Sequence, residues 1–119
     1  VSRRVLVVAP ASVAGALRGA PAEVRAYHTA SEAAAALQSP GWEAAVLLSD
    51  GIPPGDDVGV ATVIRAAGRP VIEVRRERWD GDTWSPLSAA CRGVIAGFGL
   101  AGVGAAIGVA AGEAQGSSR

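Results

Sequence analysis

The sequence predicts a three-layer α/β domain, an open parallel sheet of five strands covered on both faces by helices. Short apolar runs alternate with helix-period segments five times along the chain, the pattern of a parallel sheet with crossover helices. The runs Val5-Leu6-Val7-Val8 and Ala45-Val46-Leu47-Leu48 are apolar at every position, as in strands buried on both sides. The length of 119 residues suits one domain. Residues 1–114 are expected to form it, and 115–119, which read Gln-Gly-Ser-Ser-Arg, a flexible tail.

The first strand follows Arg3-Arg4 and is ended by Pro10 and Ala11. A short helix over Ser12–Arg18 is closed by Gly19 and Pro21. Val24–His28 reads as the second strand, Val24, Ala26 and His28 alternating with Arg25 and Tyr27. Thr29-Ala30-Ser31-Glu32 is a capping-box sequence in which Thr29 and Glu32 can each satisfy the other's free backbone amide. It opens a helix with Ala30, Ala33, Ala34 and Leu37 on one face, ended by Pro40-Gly41. Glu43–Leu48 is the third strand. Asp56 or Asp57 is placed to cap the next helix, whose Val60, Val63, Ile64 and Ala67 fall at helical spacing before Gly68 stops it. A fourth strand runs from Pro70 to Val74. A polar stretch then leads to Ser85-Pro86, a cap followed by proline at the first helical position. Val94-Ile95-Ala96 is the fifth strand, and Leu100–Glu113 a terminal helix.

Half of the residues are apolar, but the aromatics are only Phe98, Tyr27, Trp42, Trp79 and Trp84. Aliphatic side chains must therefore build the core. Net charge is zero, which gives no global electrostatic case for nucleic acid. Every basic side chain is arginine, so lysine chemistry is excluded. His28 and Cys91 are each the sole residue of their type; they give no metal-ligand spacing and no internal disulfide. The lone cysteine and the lack of a basic-then-apolar leader fit a cytoplasmic protein. Ala9-Pro10-Ala11-Ser12 lacks the glycines of a nucleotide-binding turn. No metal and no cofactor are expected.

Several of these segments, in this order, resemble the receiver domain of response regulators. Arg4-Val5-Leu6-Val7-Val8 is similar to that family's first strand, and Thr29–Leu37 to its entry into the second helix. Ile52-Pro53 stands where the family has an apolar residue and proline after its phosphorylated aspartate. Ala89-Ala90-Cys91-Arg92-Gly93-Val94-Ile95 is similar to the approach to its fifth strand. The resemblance implies the strand order 2-1-3-4-5. It also implies a phosphorylation site, and there the chain departs from the family. The acidic pair that helps hold magnesium aligns with Ala9 and Pro10, the hydroxyl with Arg75, and the lysine with Gly97. The phosphoacceptor falls on Ser49, or on Asp50 with a one-residue shift. Magnesium needs oxygen ligands, and the transferring phosphoryl group needs positive charge beside it. A degenerate receiver, or pseudo-receiver, is the expectation.

That expectation makes the chain a non-enzymatic regulatory module with a protein partner. Arg76, Arg78, Trp79 and Trp84 are binding candidates, because arginine and tryptophan are enriched among interface anchors. Leu100, Val103 and Ile107 form a stripe on a terminal helix that is apolar all round and needs cover from more than one side; a homodimer through it would supply that cover. Two other readings stay open. One is a small α/β enzyme or a binder of anions or phosphate ligands, using the loops at Pro10, Asp50 and Arg75. The other is a membrane-associated protein anchored by residues 93–112, which carry no charge and are long enough to span a bilayer. Broken by glycines and claimed by the fifth strand, that segment makes a membrane the less expected surrounding. Asp50 in its Gly/Pro-rich setting reads as a turn residue bonded to its own backbone rather than as an acid or nucleophile.

Overall fold

The computed structural model describes residues 4–76 and 85–117, the last four of them by backbone alone. Five strands, β1 (Val5–Pro10), β2 (Glu23–Tyr27), β3 (Ala44–Leu48), β4 (Val71–Arg75) and β5 (Gly93–Ala96), form one sheet in the order β2-β1-β3-β4-β5. All four pairings are parallel, with Val7 opposite Val46, Val46 opposite Ile72, and Val74 opposite Ile95. The strand order implied by the resemblance is the order found.

Strand parity sorts the core into two halves. Val5, Val7, Ala9, Val46, Leu48, Ile72 and Val74 face α1 (Ala11–Ala14) and α5 (Ala101–Ser117). Leu6, Val8, Ala45, Leu47 and Val71 face α2 (Ala30–Gln38), α3 (Asp57–Ala67) and α4 (Pro86–Ala90). The runs read as buried on both sides are so: every residue of β1 and β3 is buried.

Local chemistry explains the helix boundaries. Thr29 Oγ1 accepts from the Glu32 backbone N–H at 3.2 Å, and Glu32 Oε1 accepts from Thr29 N–H at 3.2 Å and His28 N–H at 2.6 Å. Those amide donors hold the Glu32 carboxyl below its ordinary range. Ser85 Oγ caps α4 through the Ser88 N–H, with Pro86 at the first position. Gly68 ends α3 in the left-handed region at φ 66°, which costs glycine nothing.

The second strand departs from its expected alternation. Tyr27 is its buried residue, at 1 % exposure, while Ala26 and His28 are exposed. β2 is an edge strand, so its two faces are unequally covered. Tyr27 is drawn inward because its hydroxyl donates to the Leu48 carbonyl at 2.5 Å and accepts from the Gly51 N–H at 3.2 Å. Burial pushes that phenol up to about 12. Asp56 precedes α3 but makes no side-chain capping bond, and Asp57 lies in the first turn; its contribution there is charge beside the helix dipole.

The uncharged 93–112 segment is divided between two elements. Gly93–Ala96 pairs with β4 inside the sheet, and the chain turns before α5 begins at Ala101. Among the described residues no helix is long and apolar enough to cross a membrane.

Candidate functional site

The residues singled out by the resemblance gather at the carboxyl ends of the strands, where open α/β sheets place their sites. Ala9 and Pro10 end β1, Ser49 and Asp50 follow β3 in a single 3₁₀ turn (Ser49–Gly51), Arg75 ends β4 and Gly97 follows β5. Ala9 is fully buried in the core and offers no side-chain oxygen. Gly97 has φ 87°, which favours glycine, and its N–H donates to the Arg75 carbonyl at 3.1 Å.

Ser49 and Asp50, adjacent in sequence, engage different partners. Ser49 Oγ donates to Glu73 Oε2 at 2.5 Å. Asp50 accepts from the Arg76 backbone N–H, 3.3 Å from each carboxylate oxygen, and from Arg76 Nε at 3.4 Å. Asp50 is thus bonded to backbone as a turn aspartate would be, but to the end of β4 rather than to its own loop. Arg76 lies in the same ion pair. Arg78, Trp79 and Trp84 lie outside the described residues.

The centre of the rim is a residue of the fourth strand to which the sequence reading gave no role. Glu73 has 0 % exposure, in β4 between buried Ile72 and Val74. Besides Ser49 it accepts from Arg75 Nε at 2.9 Å and from Ser88 Oγ, and Arg75 Nη2 donates to Ser88 Oγ at 2.9 Å. A carboxylate removed from water is tolerable only when paired and fully hydrogen-bonded. Three donors meet that requirement, and they tie the end of β3, β4 and α4 together. One signal was present in the sequence: a glutamate inside an otherwise apolar strand, with an arginine two residues on and hence on the same face. Ser49 and Ser88, 24 and 15 residues away, had no such signal.

Charge at this rim is internally matched. Glu73 is held by Arg75 and Asp50 by Arg76. Among the described residues no three His, Cys, Asp or Glu side chains converge as metal ligands. The Arg75 guanidinium, which an anionic ligand would need, is engaged by Glu73 and Ser88. Cys91 sits close by; burial, reinforced by the Glu73 charge and partly opposed by Arg75, pushes its thiol up to about 12, leaving it a poor nucleophile at neutral pH. His28 is exposed, 3.2 Å from Glu32 at the far side of the capping box.

The terminal helix turns a different face outward from the stripe read in the sequence. Val103 and Ile107 are 2 % and 6 % exposed and pack with Ala106 and Ala110 against β3 and β4, and Leu100 packs partly on the same cluster. Val103 and Ile107 are therefore core residues rather than partner contacts. Ala101, Ala105 and Val109 lie on the outer side with Gly104 and Gly108, and Phe98 before the helix is 69 % exposed. Gly102 faces inward, where a Cβ would stand 3.3 Å from Ile95.

No protein-family model matches the chain, and no curated protein matches it in sequence. Solved structures do. A CheY-like response regulator receiver domain protein from Methanospirillum hungatei JF-1 is similar at 17 % identity, over 80 % of this chain and 82 % of that one, with a TM-score of 0.53. A CheY-like receiver domain from Methylobacillus flagellatus matches at 10 % identity, over 80 % and 86 %, also with a TM-score of 0.53. At these identities the likeness is one of fold. The chain has the receiver fold.

Proposed function

We propose that this receiver-fold chain is a non-enzymatic regulatory module that acts by protein contact, through the outer face of α5 and the turn before it. The observation that carries the reading is the uncovered apolar surface of Phe98, Ala101, Ala105 and Val109, the last 48 % exposed. Exposed apolar patches of this kind mark interaction sites. Small residues at 101, 104, 105 and 108 let another backbone approach closely. A second copy of the chain is the favoured occupant, since a face without charge supplies no electrostatic selection for a different partner. Arg78, Trp79 and Trp84 stay candidates for further contacts on composition alone. A cytoplasmic setting, resting on the lone cysteine, completes the proposal.

Sedimentation equilibrium tests the surface. Val109→Arg is expected to weaken self-association by about 2 kcal/mol or more, roughly thirtyfold, while the melting temperature stays near that of the parent. A chain that remains monomeric at high concentration, with Val109→Arg indistinguishable from it, would remove the homodimer.

Loss of the phosphorylation chemistry belongs to the same proposal. It is supported by the arginine pairing of both rim carboxylates and by the aliphatic Ala9 and Pro10. Incubation with acetyl phosphate and magnesium is expected to leave the intact mass unchanged. A gain of one phosphoryl group, abolished by Asp50→Asn, would show instead that the rim retains a working acceptor.

A further inference from the structure

We draw no further inference here: the strongest candidate, the groove between α2 and α3 lined by Ala30, Ala34, Gly59, Val63 and Ala67 with Asp56 at one end, is an unpartnered face of small residues, and nothing in the structure shows what covers it.

Discussion

A chain ending at Cys91 is expected to be unfolded or insoluble, with no cooperative melting transition. The truncation removes β5, which pairs with β4 along its whole length, and α5, which covers β1, β3 and β4. Val103 and Ile107 lose their burial, and Val7, Val46, Leu48 and Val74 are uncovered on the same face. Each side chain of that size contributes about 1.5–3 kcal/mol when buried. The loss is on the order of 10 kcal/mol, comparable with the whole stability of a small domain. It also bares β4 as an unpaired edge open to pairing with another chain. Circular dichroism and a urea titration of the truncated chain check this. A soluble fragment with a single sharp transition would mean that the chain beyond Cys91 is an appendage, and that the sheet needs only four strands.

Replacing Glu73 is the single substitution expected to cost most. Glu73→Ala removes the common acceptor of Ser49, Arg75 and Ser88, and leaves the arginine charge, 27 % exposed, without its partner. Breaking a buried pair by deleting one member costs about 3–5 kcal/mol, enough to lower the melting temperature by on the order of 10–20 °C in a domain of this size. Ser49→Ala should cost only about 1 kcal/mol, because Glu73 keeps two donors. The double variant Glu73→Leu/Arg75→Leu should be more stable than Glu73→Ala, since an apolar pair carries no desolvation penalty. Urea midpoints for the three variants separate these cases. A Glu73→Ala midpoint within about 1 kcal/mol of the parent would show that the network orders the rim without stabilising it.

The proposed loss of phosphorylation chemistry rests on the arginine pairing as well as on the alignment. Missing acids at Ala9 and Pro10 weaken a metal site. Arginines that already neutralise Glu73 and Asp50 remove the unpaired carboxylates on which a hard cation depends.

The five strands, the capping box at Thr29–Glu32 and the Ser85-Pro86 start were legible in the sequence. Each is a short-range pattern: apolar continuity, a three-residue spacing, a proline at one position. Placement of Ser49, Asp50, Arg75 and Gly97 at one rim was legible as well, because parallel strands all end on the same side of the sheet. Three features were decided only by tertiary structure. Tyr27 turned inward because the Leu48 carbonyl and Gly51 N–H, more than twenty residues away, offered its hydroxyl partners that an edge strand could reach. Glu73 became the centre of the rim because two serines from other elements joined Arg75 around it. Val103 and Ile107 became core while Val109 faced outward, since a helix apolar on every side carries no pattern that says which side meets the sheet. Short-range periodicity encodes what an element is. Which side chains it buries, and against which distant partners, depends on a balance of burial and hydrogen bonding that exists only once the elements have met.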